Sequence, residues 1–265
     1  DADYAMSYNN RAHIHQITGD YQSAIADFTQ SIKLDPEAER YMFRAECYEE
    51  KGDNENALKD YTTTIKVATQ EKKALYYNNR GDFYKKKEEY DLALSDYATA
   101  IKIDNDDWQN ARALNNSANI YWIQEKWELC IEEYTKAINI IPSAIYYSNR
   151  GRIYKITEDY ERAIKDLTEA INLEAGADYY DYRADCYAEK GDYNRALFDY
   201  TKAIDVASPE EKATYYNNRA GFYENEGEEN LALEDYASAA ILAKSHVNVD
   251  DPYCNMIHEW SRAVN

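Results

Sequence analysis

The hexamer YYNNRG at residues 76–81 returns as YYNNRA at 215–220, 139 residues later. The likeness extends well beyond those letters: residues 41–100 laid over 180–239 agree at 35 of 60 positions. A shorter period lies inside the long one. GDYQSAIADFTQSI (19–32), GDNENALKDYTTTI (52–65) and GDYNRALFDYTKAI (191–204) share a skeleton that also recurs at 88–101, 125–138, 158–171 and 227–240. Seven unit starts follow, at Ala5, Ala38, Ala74, Ala111, Ala144, Ala177 and Ala213, in steps of 33, 36, 37, 33, 33 and 36 residues. Repeats this short cannot each enclose a core, so every unit must bury its apolar face on its neighbours.

Each unit carries two helical patterns. Numbering from the unit start, the first places its large or small apolar residues at positions 4, 8 and 11, as in Tyr147, Gly151 and Tyr154. That i, i+4, i+7 spacing is one face of a helix. The second puts Ala at 20, a ring or Leu at 24 and a small residue at 27, as in Ala163, Leu167 and Ala170. A Gly-Asp or other polar pair near position 15 supplies the turn. Only four prolines and eight glycines interrupt 265 residues, which favours helices over many short strands. The fold class expected is all-α, an α-solenoid of helix-turn-helix units.

These residues resemble the tetratricopeptide repeat family over about residues 5–244. The resemblance rests on the small residue at position 8 (Ala12, Ala45, Gly81, Ala118, Gly151, Ala184, Ala220) and the tyrosine at 11 in all units but the first, which has His15. It rests also on the small residue at 20, the ring or Leu at 24, and the prolines Pro36 and Pro142. The first large position departs from the family in being Tyr or Leu114 rather than tryptophan. The resemblance implies a right-handed superhelix with a concave groove lined by first helices. The domain reading is seven units over 1–249, units 1–3 and 5–7 being copies of one block, then a capping helix over 250–265 with Tyr253, Ile257 and Trp260 on its apolar face. The three residues added in the longer steps are expected to lengthen a helix by nearly one turn. Ser208-Pro209-Glu210-Glu211 reads as a capping box that starts the seventh unit's first helix early.

Position 6 reads Asn10, Phe43, Asn79, Asn116, Asn149, Tyr182 and Asn218. The resemblance assigns this position to the groove, and an amide can clasp both backbone groups of an extended peptide. The asparagines therefore read as a ladder for a protein or peptide partner, or as scaffold residues bonded internally. Phe43 and Tyr182 read as apolar anchors or as core. Asn119, Trp122, Arg152 and Lys155 complete the candidate groove, beside Glu46, Glu49, Glu50, Asp185 and Glu189 at its flanks and Asp82, Lys85 and Lys86 nearer its middle. Position 7 is arginine in six units (Arg11, Arg44, Arg80, Arg150, Arg183, Arg219), and position 23 carries Asp27, Asp60, Asp96, Asp166, Asp199 and Asp235 in the same units. These columns read as structural Arg–carboxylate pairs, within a unit or between units. The unit lacking the arginine has Ser117 and Glu133 instead. The family's clamp for acidic chaperone tails is absent, since its places hold Asn9, His13, Leu75 and Asn79.

A formal charge of −20 opposes binding to nucleic acid or anionic lipid and serves solubility or selects basic partners. Cys47, Cys130, Cys186 and Cys254 show no C-x-x-C spacing, and read as reduced thiols of a cytoplasmic protein. His13 and His15 point different ways on a helix, Cys254 and His258 lack a second pair, and the loop 104–107 lacks the glycine and the last glutamate of a calcium loop. No phosphate loop or nucleophile motif appears, so neither cofactor nor enzymatic activity is expected. No apolar run reaches membrane-spanning length. The opening DADYAMSY has no initiator methionine or signal peptide, as expected of a piece of a longer protein with room for a targeting segment upstream. The expected function is recognition of an extended peptide. The alternatives are an assembly scaffold, including self-association through the repeat ends, and a regulatory repeat domain from a larger protein.

Overall fold

The computed structural model describes residues 2–103 and 106–245, so the expected capping helix and the Cys254/His258 pair lie outside the described residues. Among the described residues all regular structure is helical. The chain divides into two compact units, Asp1–Ile141 and Pro142–Asn265. The first unit holds α1 (Ala2–Ile17), α2 (Tyr21–Leu34), α3 (Ala38–Glu50), α4 (Asn54–Val67), α5 (Lys73–Lys86), α6 (Tyr90–Ile103), α7 (Asp107–Ile123) and α8 (Trp127–Ile140). The second holds α9 (Ala144–Ile156), α10 (Tyr160–Leu173), α11 (Ala177–Glu189), α12 (Tyr193–Val206), α13 (Lys212–Asn225) and α14 (Glu229–Ser245). Odd helices are the first of each repeat and even helices the second. Within a unit, each second helix packs on its own first helix and on the next one.

The turn inside every repeat has one mechanism. Position 15 is left-handed in all seven: Gly19, Gly52, Gly191 and Gly227 have φ between 73 and 78°, and Glu88, Glu125 and Glu158 have φ between 55 and 61°. This residue ends the first helix with paired 6→1 and 5→2 type bonds, such as Asp20 N to His15 O at 2.9 Å. Where the next residue is aspartate it caps the second helix, as when Asp159 accepts from Arg162 N at 3.1 Å, while Lys126 gives no such bond. A side chain in the left-handed region costs about 1 kcal/mol that glycine avoids. Glu158→Gly is therefore expected to raise stability by up to about 1 kcal/mol and Gly52→Ala to lower it by about as much, read from urea midpoints.

The core is thin and repetitive. Ala24, Phe28, Ala163, Leu167 and Ala170 are fully buried, and the tyrosines Tyr61, Tyr97, Tyr134 and Tyr200 at position 24 lie between first and second helices. Their hydroxyls are not left dry. Tyr97 donates to Asp82 at 2.6 Å, Tyr134 to Asn119 at 2.7 Å, Tyr200 to Asp185 at 2.6 Å and Tyr61 to Glu49 at 2.8 Å.

The longer steps divide into two kinds. At unit 4 the added residues do extend a helix, α7 running 17 residues from the Asp106 cap. At units 3 and 7 they do not. Residues 70–72 form a 3-10 turn ahead of α5, and α13 begins only at Lys212. Glu211 does reach back to Ser208 N and Oγ, at 3.3 and 2.9 Å, but this closes a turn, correcting the expected early helix start.

Candidate functional site

The arginine and aspartate columns meet across the two helices of one repeat, always 16 residues apart. Arg44 Nε and Nη2 donate to the two oxygens of Asp60 at 2.7 and 2.9 Å. Arg11–Asp27, Arg80–Asp96, Arg150–Asp166, Arg183–Asp199 and Arg219–Asp235 form the same fork, every bond between 2.6 and 2.9 Å. The third corner of the guanidinium reaches the preceding repeat, Arg44 to Thr29 Oγ1 at 2.9 Å and Arg183 to Thr168 Oγ1 at 3.0 Å. Tyrosines at positions 4 and 11 flank it: Arg183 lies 5.7 Å from the Tyr180 ring and 5.9 Å from Tyr187. One side chain therefore ties three helices.

The two asparagines of the NN pair part company. In YYNNRG, Asn78 at position 5 is fully buried and donates to the backbone and side chain of Gln109 at 3.1 and 3.0 Å, whereas its block copy Asn217 is exposed. In the sequence only position 6 stood out as a column, and the buried role of Asn78 was missed. The position-6 residues then diverge. Asn79 donates to Met42 S at 3.1 Å and accepts from Arg112 at 3.1 Å. Asn116 is buried, donating to Asp82 at 2.7 Å and accepting from Lys85 at 3.2 Å. Asn218 donates to Asp181 at 2.9 Å and keeps its oxygen without a donor among the described residues. Asn10 and Asn149 make no side-chain hydrogen bond among those residues, Asn10 being exposed and Asn149 half-buried.

The block copies Phe43 and Tyr182 also differ. Phe43 packs on His13 at 4.4 Å and on Phe28 at 6.0 Å, joining the core of the first repeats. Tyr182 lies under the Arg152 guanidinium at 5.0 Å. Trp122 meets Trp127 edge-on at 5.6 Å. His13 is held between the rings of Phe28 and Phe43, and His15 faces Asp20 and Asp27.

Charges along the first helices are largely answered by the neighbouring first helix. Lys86 bonds Glu49 at 2.7 Å, Arg112 bonds Asp82 at 2.5 Å, and Lys155 bonds Asp185. Arg112 was not among the residues the sequence singled out. Two hollows lie among these side chains within the described residues. One of about 400 Å³ in the first unit is lined by Glu46, Glu50, Asn79, Asp82, Phe83 and Arg112 among others. The other, about 550 Å³ in the second unit, is lined by residues including Lys155, Asp185, Glu189, Asn218, Gly221 and Phe222. Burial pushes the Glu46 carboxyl upward despite the Gln16 donor. Burial also raises Asp181 to about 7, with Asp185 and Asp178 raising it further and Asn218 and Lys155 opposing. The thiols of Cys47, Cys130 and Cys186 are buried and unpaired, pushed up to about 12 by desolvation. Among the described residues no cluster of His, Cys, Asp or Glu is arranged to hold a metal, and no helix is long and apolar enough to cross a membrane.

Models of the tetratricopeptide repeat family match residues 5–37, 38–70, 74–107, 111–143, 144–176 and 177–208. None of the curated protein sequences matches the chain. Among solved structures, the C-terminal part of a tetratricopeptide repeat protein from Cytophaga hutchinsonii superposes with a TM-score of 0.67 at 20% identity, covering 92% of this chain and 97% of that one. A tetratricopeptide repeat protein from Parabacteroides merdae gives 0.60 at 19% identity over 94% and 95%. YrrB, described as having an unusual peptide-binding site, gives 0.55 at 20% identity over 70% and 93%. With the helix pairs, their turns and six matched repeats in agreement, the chain belongs to the tetratricopeptide repeat family, and its general role is that of a protein-interaction module.

Proposed function

We propose that the first-helix faces take up an extended segment of a partner protein, with no catalytic role. The observation that carries this reading is the pair of hollows whose walls keep polar groups not consumed by the scaffold. The peptide-binding site for which YrrB is described supports it by analogy of fold. Within the asparagine column, the rungs proposed to touch the partner backbone are Asn10, Asn149 and the free oxygen of Asn218. Asn79 and Asn116 are read as scaffold, because both ends of each amide are occupied. Uncompensated acid favours a partner of basic character, and the three described buried, unpaired thiols fit a reducing compartment.

A peptide array followed by calorimetry tests the reading. Asn149→Ala is expected to weaken a selected peptide about fivefold, about the size of one hydrogen bond, with the melting temperature unchanged. Asn116→Ala is expected instead to cost stability, about 1 kcal/mol, because it strips one donor from Asp82 and the acceptor from Lys85. Equal affinity in wild type and Asn149→Ala removes that residue from the ladder.

A second reading is self-association through α1, which leaves Tyr4, Met6, Ile14 and Ile17 exposed. Light scattering over a dilution series separates the two, since association fades on dilution whereas peptide binding needs an added partner.

A further inference from the structure

The two hollows occupy corresponding places in the duplicated blocks, the 139-residue shift carrying Tyr61, Asn79 and Phe83 onto Tyr200, Asn218 and Phe222. What fills them differs. In the first block two cations, Arg112 and Lys86, line the hollow, and in the second only Lys155 does among the described residues. Arg112 reaches in from α7 and donates to Asp82 at 2.5 Å and to the Asn79 oxygen at 3.1 Å, while Lys86 covers Glu49. In the second block the shift puts Gly221 at the place of Asp82, Asn225 at that of Lys86 and Ala188 at that of Glu49. Among the described residues a methyl group built on Gly221 meets nothing within 4 Å, and the hollow is the larger of the two. The register mate of Arg112 is Asp251, an acid, which lies outside the described residues.

Around the second hollow Lys155 is engaged by Asp185, and acceptors stand beside the Asn225 amide. Asn218 spends its amide N–H on Asp181 and keeps its oxygen, the atom whose sister accepts from Arg112. The side chains of Glu189 and Glu226 line the space with no hydrogen bond or ion pair among the described residues. Each oxygen of Asp185 already accepts one donor, from Tyr200 and from Lys155. Behind Asn218, Asp181 is 6% exposed and one of its carboxyl oxygens has no partner among the described residues. The rings of Phe222 and Tyr193 offer an apolar wall.

We propose that this hollow is the subsite for an arginine side chain of the partner segment, seated where Arg112 sits in the sister block. The aliphatic stem lies along Phe222 and Tyr193, and the guanidinium donates to the Asn218 oxygen and to the carboxylates of Glu189 and Glu226. Lysine brings one point charge and no fork, so it binds less well, and an acidic side chain is repelled. The inference rests on the groove reading above and deepens it by naming the recognised group.

The test is a titration of the isotopically labelled full chain with N-acetylarginine amide at millimolar concentration, followed by NMR. N-acetylglutamate amide is the control. The expected result is a saturable shift of the Gly221, Phe222 and Asn218 signals, none at Asp82, Phe83 or Asn79, and weakening by added salt. Gly221→Leu fills the space with a better helix former, so it should keep or raise the melting temperature while weakening the arginine probe at least tenfold. Arginine shifts that persist in Gly221→Leu, that fall equally on the first block, or that the glutamate probe reproduces overturn the proposal, as does the absence of any shift. A selected peptide that moves the Asn10 or Asn149 signals and leaves Gly221 silent overturns the arginine subsite alone. Failure of every peptide to bind the first-helix faces overturns the groove reading with it.

Discussion

Asp181→Asn makes the protein more stable at pH 8 by about 3 kcal/mol and changes it far less at pH 4.5. The carboxyl is buried on α11, its sole hydrogen bond among the described residues coming from Asn218 to one oxygen. Burial, first, and then the charge of Asp185 raise it from 3.8 to about 7. Holding an acid above its unfolded value means that the folded state prefers the proton. The associated stability is fully present below about pH 3.8 and is lost as pH rises through about 7. At about 1.4 kcal/mol per pH unit across that window the upper bound is about 4 kcal/mol, and relaxation around the charge lowers it. The sister block shows a second route. Met42 occupies the matching place and its sulfur accepts from Asn79, so Asp181→Met should also flatten the profile. Urea unfolding at pH 4.5, 6 and 8 checks this; parallel wild-type and variant profiles across that range would rule out a titrating Asp181.

Arg183→Ala is expected to destabilise the second unit by about 3–5 kcal/mol, the range for removing one partner of a buried ion pair. Asp199 is 1% exposed, and the arginine supplies the fork that satisfies both its oxygens. The same substitution also removes the bond to Thr168 and empties the space between Tyr180 and Tyr187. Arg11→Ala breaks the same motif where the arginine side chain is 60% exposed, and should lose only a small fraction of that stability. Replacing both partners with apolar residues, Arg183→Met with Asp199→Leu, should recover much of the loss, since no charge is then left buried alone. Because repeat arrays can unfold in steps, hydrogen exchange in α11 and α12 is read beside the urea midpoint. A loss equal to that of Arg11→Ala would show that burial does not set the strength of the clasp.

The repeat, the two helices of each unit and the family could be read from residue order, because each is a local property. Helix faces follow from apolar residues three and four apart, and the left-handed turn residue follows from Gly-Asp at 52–53 and 191–192. The arginine and aspartate columns were visible as well, although order could not say whether a pair closes inside one repeat or between two. The candidate site was less legible. YYNNRG does not reveal that Asn78 is buried against Gln109 while Asn79 lies beside Met42 and Arg112.

By itself, then, the sequence determined a helical solenoid with periodic clasps, since periodicity and propensity act over one or two turns. The tertiary structure alone decided which polar atoms stay available. Contacts between neighbouring first helices join residues 30 to 37 apart, as in Arg112–Asp82 and Asn218–Asp181. A hydrogen bond there forms or fails within a few tenths of an ångström of helix spacing. That margin is set by packing, not by the order of the letters.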